Sequence, residues 1–363
     1  MNKWPGFIEK LKSISWPSVN HFKKFDGTLI GVFPVGDPEF PSIPLNRQGF
    51  HHALQDYTKK LGIPIRLSTT VVEYFETAEH GGVRLADGER LAADIVVAAD
   101  EIGSRSRELV IGNRDRPVSS GFAVYRASFP IKPIRESNPI IAKEFENIDR
   151  RVSVHMGPDA HVVIGKTEDE DYRVSDDILR IALSDDALSH VEGWTPFLTE
   201  LINSTPNKIV VDWKLMWRDP QRTWASPQAR VIQIGDAAHP FLPTSGSGAT
   251  MGIENAYSLT TCLQLSGKWN APLGVRVHNH LRFECVPKIP ETVGRPVGSW
   301  VLKHDPEQYA LDNYGNCVNH LVAGAPFGNT NMPPGYVFKP WTVRQLLHET
   351  DNGGLVLDEG DWS

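Results

Sequence analysis

The stretch RVIQIGDAAHPFLPTSGSGATMGIENAYSLTTCLQ, residues 230–264, holds the pattern that decides the fold. It opens with Arg230 to Ile234, an apolar run typical of a buried strand. A Gly-rich turn follows, and a long helix is then predicted from apolar residues at helical spacing: Ile253, Ala256, Leu259 and Leu263. A strand, a Gly-rich turn and a long helix in this order are the frame on which α/β folds build ligand sites.

The turn carries residue types that suit a ligand site. Gly246 and Gly248 precede the helix, where backbone N–H groups and the helix's partial positive charge favour an anion or an electron-rich edge. Asp236 follows the strand and is placed to accept hydrogen bonds from a polyol. Asp after Gly is also a common turn residue, so a purely structural role stays open. The spacing is not the dinucleotide fingerprint G-x-G-x-x-G, because the third glycine, Gly252, falls one place late.

Upstream of this stretch the pattern changes from helix to strand. A helix is predicted from an Asn46 cap to Gly62, which is placed to end it. Residues 67–99 then read as strands joined by turns at 81–82 and 87–88, and the last strand ends before Asp100.

The middle of the chain, from Gly121 to Arg218, is predicted to form a mostly antiparallel sheet. Its residues 209–218 alternate between apolar and other side chains with the period of two that a strand requires. Helical patterns interrupt the sheet near Asp177 to Leu188 and Pro196 to Asn203. Four tryptophans are interpreted as core residues: Trp194, Trp213, Trp217 and Trp224.

Composition excludes several classes of protein. The chain has 363 residues, 37 basic and 44 acidic side chains, a net charge of −7 and 40% hydrophobic residues. The charge gives no field that would gather nucleic acid, and no apolar run is long enough for a membrane span. Without a signal-peptide pattern, and with three sparse cysteines, a cytoplasmic location and a small-molecule partner are expected. The sequence does not indicate an oligomeric state.

No metal site is predicted either. The histidine pairs 51–52 and 278/280 lack a nearby carboxylate or cysteine at ligand spacing.

Three motifs resemble those of the class A flavoprotein monooxygenases, the FAD-dependent hydroxylases of the salicylate or p-hydroxybenzoate hydroxylase type. Residues 230–255 resemble the family's GD motif, in which the Asp binds the ribityl chain of the flavin, with Asn255 where that motif usually has Asp. Residues 98–107, AADEIGSRSR, resemble its second motif, with Glu101 where that motif has a Gly. Residues 46–54, NRQGFHHAL, resemble its R-x-x-L helix. The resemblance assigns cofactor binding to Arg47, Asp100, Arg107, Gly235, Asp236, Pro243, Gly246, Gly248 and Ala249.

This family opens with a βαβ unit that carries G-x-G-x-x-G and cradles the FAD pyrophosphate. Here the first 45 residues contain no two glycines two apart. The expectation is therefore an α/β FAD-binding hydroxylase-type fold, truncated at its N-terminus, with an inserted mostly antiparallel β-sheet substrate domain. A noncatalytic or truncated flavoprotein remnant that binds FAD weakly is the alternative.

The resemblance implies an activity as well as a fold. An FAD-dependent monooxygenase would use NAD(P)H and O₂ to hydroxylate or epoxidise a small aromatic or polycyclic metabolite. A flavin oxidase or reductase without oxygen transfer is a further alternative. Arg126, in a strand of the sheet, matches an Arg of related hydroxylases and is assigned a catalytic or substrate-orienting role, with an ordinary surface arginine as the other interpretation.

The same reasoning predicts the domain boundaries. The FAD-binding domain takes residues 1–116 and 226–290, the sheet takes 117–225, and 291–363 form a C-terminal appendage.

Overall fold

The computed structural model describes residues 4–15, 19–34, 45, 47–113, 116–146, 151–157, 160–167, 178–184, 188, 191–206, 211–218, 221, 223–240 and 248–285. The helices within these residues are α1 Phe7–Ile14, α2 Arg47–Lys60, α3 Arg107–Ile111, α4 Lys132–Ser137, α5 Pro139–Glu144, α6 Pro196–Asn203, α7 Gly248–Ser266 and α8 Ala271–Cys285. The strands are β1 Val19–Lys24, β2 Leu29–Pro34, β3 Val71–Glu76, β4 Gly81–Leu85, β5 Arg90–Ala93, β6 Val96–Ala98, β7 Val118–Pro130, β8 Arg151–Gly157, β9 Ala160–Thr167, β10 Ile178–Ser184, β11 Val211–Trp217 and β12 Val231–Gln233. None of these helices combines the length and the apolarity that a bilayer crossing requires.

The chain divides into two compact units, and the first contains the described residues of 1–66 and 121–214. Its framework is a seven-stranded sheet in the order β11-β7-β10-β9-β8-β1-β2. Alternate side chains of β7 and β9 point to one face, where they form a core with α5 and α6 around Phe129, Ile164 and Leu198. Away from this core, α1 packs on α2 through Phe7, Leu11 and Ala53.

One expected helix of the sheet region is a strand. Residues near Asp177 to Leu188 were expected to be helical, but β10 runs antiparallel between β7 and β9. Arg180 pairs with Ser128 on one side and with Gly165 on the other. A central strand gains backbone hydrogen bonds along both edges, and this tertiary pairing overrides a local pattern that is compatible with either structure.

The first unit also differs from the predicted boundaries. Residues 1–116 were expected to belong to the FAD-binding domain, but β1 and β2 extend the large sheet. β1 pairs in parallel with β8, from Asn20 opposite Val152 to Lys24 opposite Met156. The reason is long-range strand pairing, which no local pattern in the sequence reveals.

The second unit contains the described residues of 67–120 and 215–285. It holds the parallel pair β6-β12, the antiparallel sheet β3-β4-β5, and helices α3, α7 and α8. β12 is fully buried, and Ile232 packs with Trp224, Met251 and Leu259. The predicted strand and long helix of residues 230–264 are thus confirmed at β12 and α7, whereas residues 241–247 of the Gly-rich turn lie outside the described residues.

A turn expected at Gly81-Gly82 is part of β4 instead. The chain turns at 77–80, where the Thr77 amide donates to the His80 carbonyl at 2.8 Å. A Cβ on Gly82 would lie 2.2 Å from the Phe75 ring, and one on Gly81 would lie 2.4 Å from a backbone oxygen. Gly82 therefore serves close packing within the sheet, and Gly81 serves close packing against Arg230, rather than a turn.

Candidate functional site

The second unit brings two acidic side chains to one edge of a parallel strand pair. β6 and β12 pair from Val96 opposite Val231 to Ala98 opposite Gln233. Asp100 and Asp236 each follow the carboxyl end of one of these strands. Because parallel strands end at the same edge, both carboxylates lie at the position where α/β folds bind ligands. Both residues are exposed.

The turn after β12 is a short 3-10 helix, Gly235–Ala237. Gly235 has a φ of +56°, in the left-handed region that glycine adopts without strain. Its carbonyl accepts hydrogen bonds from the amides of Ala238 and His239, each at 2.9 Å. A Cβ on Gly235 would lie 4.0 Å from the Cα of Gly252, so the turn lies close to α7. Asp236 therefore sits on a turn whose backbone is firmly held.

A buried amide joins this turn to α7. Asn255 is fully buried, and its Oδ1 accepts a hydrogen bond from the Gly235 amide at 3.0 Å. The same Oδ1 lies 2.5 Å from His239 Nε2. Burial lowers the pKa of His239 to about 4, with a smaller effect in the same direction from the positive charge of Arg282. The imidazole is therefore neutral at neutral pH.

The predicted binding helix begins with two of the predicted site residues. Gly248 and Ala249 are the first residues of α7, and a Cβ on Gly248 would meet nothing within 4 Å among the described residues. The first-turn amides of a helix have no acceptor within the helix, and they carry its partial positive charge. Pro243 and Gly246, also predicted to bind the cofactor, lie outside the described residues.

Asp100 is held by neighbours that the sequence did not suggest. Its Oδ2 accepts a hydrogen bond from the Arg105 amide at 3.3 Å. Burial, together with the charge and hydrogen bond of Asp100, raises the pKa of the Tyr74 phenol above its usual range. Next in the chain, Glu101 has a φ of +64°. The residue that replaces the motif's glycine thus occupies a backbone conformation that favours glycine.

Arg107 lies inside the unit rather than at the exposed edge. Only 5% of it is exposed, and its Nη1 donates a hydrogen bond to Gln221 Oε1. Gln221 Nε2 donates to Gln233 Oε1, and Gln233 Nε2 donates to Ser106 Oγ at 2.7 Å. Ser106 in turn shares a 2.6 Å hydrogen bond with Ser104. A buried polar chain therefore links the segment after Asp100 to β12.

The first unit contains the other two predicted site residues. Arg47 is exposed at the start of α2, and the helix itself is confirmed, although its expected cap, Asn46, lies outside the described residues. Arg126 is exposed on β7, and its guanidinium carbon lies 5.3 Å from the centre of the Trp213 ring.

The four tryptophans divide into different environments. Trp194 and Trp224 are core residues as expected, with 8% and 1% exposed. Trp213 is 43% exposed, so the expectation of a core residue was wrong there, and its ring lies instead beside the exposed Arg126 of β7. The Trp217 side chain lies outside the described part. Within that part no three His, Cys, Asp or Glu side chains are grouped as a metal ion would need.

Fold comparisons define the class of protein first. The chain superposes on the crystal structure of CtdE in complex with FAD and a substrate, with a TM-score of 0.72 and 25% identity over 89% of this chain and 87% of that one. A salicylate hydroxylase substrate complex gives a TM-score of 0.69 at 23% identity, over 90% of this chain and 85% of that one. The fold is therefore that of the FAD-binding hydroxylases.

Sequence comparisons then define the family. Residues 45–271 match the family described as FAD binding domain. An FAD-dependent monooxygenase of Claviceps purpurea is 33% identical over 430 aligned positions, which cover 99% of this chain and 82% of the relative. The FAD-dependent monooxygenase mdpD of Emericella nidulans is 32% identical, over 99% and 80% respectively. The chain belongs to the class A FAD-dependent monooxygenases, and FAD is its cofactor.

Sequence reasoning missed the side chains that hold the site in place. Three of them belong to no sequence motif: Tyr74, Gln221 and Gln233. Only their buried contacts in the folded chain connect them with the site. Asn255 stood within the quoted stretch, where the family more often has Asp, but the sequence did not show that it contacts Gly235 and His239.

Proposed function

We propose that this monooxygenase uses NADPH or NADH and O₂ to hydroxylate or epoxidise a small aromatic or polycyclic metabolite. The observation that carries the proposal is the pair of exposed carboxylates, Asp100 and Asp236, at the carboxyl edge of β6 and β12. A ribityl chain presents several hydroxyl groups, and ionised carboxylates are strong acceptors for them.

The residues at this edge fit FAD. Asp236 is exposed on a fixed turn, and no described residue comes within 4 Å of a Cβ placed on Gly248, the first residue of α7. The start of a helix suits an electron-rich ring edge. We assign Gly235, Asp236, Gly248 and Ala249 to the flavin and ribityl chain, and Asp100 to the same cofactor. Pro243, Gly246 and the exposed Arg47 keep the cofactor-binding roles that the family motifs imply.

Arg107 fits a positioning role better than direct contact. Its guanidinium is buried and donates to Gln221, so it acts on the cofactor edge through the polar chain that reaches Gln233 and Ser106.

The exposed pair on the sheet supports an aromatic substrate. Arg126 and Trp213 lie in cation–π contact, which orients the guanidinium while leaving its N–H donors available. A guanidinium in this position can bind a phenolate or carbonyl oxygen, and the indole can stack on a ring. We assign Arg126 to orienting the substrate and to stabilising negative charge on it.

When bound, FAD would supply the redox chemistry, with the nicotinamide as electron donor and O₂ as the oxidant. The protein's own part is to bind, orient and exclude water. Asp236 holds the polyol, the first-turn amides of α7 stabilise negative charge on the reduced ring, and Arg126 orients the substrate.

The test is a product balance with the purified FAD-loaded protein. NADPH or NADH oxidation and O₂ uptake are followed across a panel of phenolic and polycyclic substrates, and products are examined by mass spectrometry. One oxygen atom gained per nicotinamide oxidised, with the label retained from ¹⁸O₂, supports the proposal. Nicotinamide oxidation that yields only hydrogen peroxide with every substrate contradicts it and identifies an oxidase.

A further inference from the structure

Asn255 occupies a position where an ionised carboxylate would meet several charged or titratable groups. His239 lies 2.5 Å from its Oδ1. On α8, the buried Arg282 donates to Glu254 Oε2 at 2.9 Å, and the fully buried His278 contacts Ser258. The resemblance to the family places Asp at this point of the motif, whereas this chain has a neutral amide.

The hydrogen bonds fix the orientation of the amide and the tautomer of the histidine. The Gly235 N–H can only donate, so the Asn255 atom that faces it must be the carbonyl oxygen. That oxygen also faces His239 Nε2, which must therefore carry the ring proton. One oxygen thus holds both ends of the turn, the amide before Asp236 and the side chain of His239.

We propose that Asn255 is a positioning residue for the FAD site, whose neutral amide holds the Gly235–His239 turn in one geometry regardless of pH. The proposal rests on the assignment of Asp236 to FAD. Burial and the nearby Arg282 charge lower the pKa of His239 to about 4, so the imidazole in this turn stays neutral throughout the neutral pH range.

An Asp in place of Asn255 changes the charge but not the shape. A carboxylate still accepts from Gly235 and His239, and the Asn255 Nδ2 that is lost has no hydrogen-bond partner among the described residues. The negative charge favours protonated His239, so the pKa of that histidine rises toward neutral pH. The positive charge of Arg282, close enough to His239 to lower its pKa, favours the ionised form of the new carboxylate. When His239 and the new carboxylate titrate as a pair, the hydrogen bonds that hold the turn carrying Asp236 change.

The experiment measures the Kd for FAD by fluorescence quenching between pH 5.5 and 8.5, at about half-unit steps. Wild type is expected to give a Kd that stays within about twofold. Asn255→Asp is expected to change its Kd by about fivefold or more across the same range, because the His239 pair titrates there. Asn255→Ala, which loses both hydrogen bonds, is expected to bind FAD about tenfold more weakly at every pH. Gln264→Glu makes the same amide-to-acid change on an exposed part of α7 and should follow wild type.

A second measurement is made on the wild-type protein, and a variant serves only to assign its signals. Two-bond ¹H–¹⁵N correlation spectra of the wild-type protein, assigned with His239→Gln, report which ring nitrogen carries the proton. Protonated Nε2 at pH 7 supports the inference, and protonated Nδ1 or a doubly protonated ring overturns it. A flat Kd profile for folded Asn255→Asp also overturns it. If Asp236→Ala binds FAD as wild type does, the assignment of the FAD site fails instead, which separates the two failures.

Discussion

Gln233 Nε2 donates a hydrogen bond to Ser106 Oγ at 2.7 Å inside the second unit. Both side chains are fully buried, and Gln233 is the last residue of β12. The contact therefore ties β12, which ends shortly before Asp236, to the segment that follows Asp100. This hydrogen bond connects the two backbone segments that carry the acidic residues, although no sequence motif contains both Gln233 and Ser106.

Replacing Gln233 with Ala should lower the free energy of unfolding by about 1–3 kcal/mol, because Ser106 and Gln221 lose a partner in a buried site. Urea denaturation followed by circular dichroism measures the change. Gln228→Ala removes an exposed side chain of the same type and should leave the unfolding midpoint unchanged. Equal stability of the Gln233 and Gln228 variants would show that the polar chain contributes nothing.

Asp236→Ala should weaken FAD binding by about 10–100-fold, the effect of losing hydrogen bonds worth about 1.5–3 kcal/mol to a charged group. Asp236→Asn keeps an acceptor and should lose less. Fluorescence quenching of FAD titrated into the apoprotein gives both values. Asp87→Ala, in the turn between β4 and β5, is the matched control and should bind FAD normally. Unchanged affinity in Asp236→Ala would remove the basis of the proposed site.

Arg126→Ala should lower kcat/KM for the substrate by about 10²-fold while leaving the Kd for FAD unchanged, since we assign the guanidinium to the substrate. Trp213→Leu should lower it by about 2–5-fold, equivalent to the ~0.5–1 kcal/mol of an exposed cation–π contact. Lys214→Ala changes an exposed neighbour on β11 and serves as control. Steady-state kinetics with the substrate identified in the product assay decide the matter, and full activity of Arg126→Ala would leave this arginine as an ordinary surface residue.

Stability should fall as the pH decreases from about 6.5 toward 4. Burial and the Arg282 charge lower the pKa of His278 to about 3, and the pKa of His239 is about 4, both below the ordinary 6.5. The unfolded chain therefore binds protons in this window that the folded chain does not, which costs up to about 1.4 kcal/mol per pH unit for each histidine.

A variant of His278 separates the contribution of this histidine to the pH dependence of stability. The stability difference between wild type and His278→Gln should shrink as the pH falls from 7 to 5, because only wild type can gain that proton on unfolding. Urea denaturation at each pH supplies the values, and the exposed His51→Gln should parallel wild type. A constant difference across the pH range would contradict a neutral, buried His278.

Glu101→Gly should raise the unfolding free energy by up to about 1 kcal/mol. Its φ of +64° costs a residue with a Cβ about 1–2 kcal/mol, and glycine removes this cost while adding some entropy to the unfolded chain. Glu79→Gly, at an exposed turn position without this conformation, should not stabilise the protein. Thermal unfolding of the two variants compares them, and a lower midpoint for Glu101→Gly would show that the Glu101 side chain contributes more than its strain costs.

The sequence predicted the parts of the fold that local patterns encode. The β12, turn and α7 frame was found because a buried strand and a 19-residue helix have distinct periods. Helix α6 was found from its periodic apolar residues, and the end of α2 from Gly62, whose φ is +70°. These features depend on residues close together in the chain.

Features set by distant residues could not be predicted. Residues 178–184 were expected to be helical. They form β10 instead because they pair with β7 and β9, which lie elsewhere in the chain. The exposure of Trp213 and the role of Asn255 depend on which elements pack nearby. At the site, Asp100 came from a family resemblance, and Asp236 came from its position after a predicted strand as well as from that resemblance. The pairing that brings both to one edge is a property of the folded sheet.

The parallel pairing of β6 with β12 has a consequence for how the protein is made. Gln233 and Ser106 are 127 positions apart, so a ribosome working at about 5–20 residues per second needs about 6–25 s to add the later partner. During this interval β6 has no β12 to pair with, whereas β7 to β11, which complete the large sheet begun by β1 and β2, are synthesised in between. Slowing translation beyond β11 should therefore prolong the lifetime of a nascent chain in which the larger sheet has been synthesised without its flavin-binding counterpart.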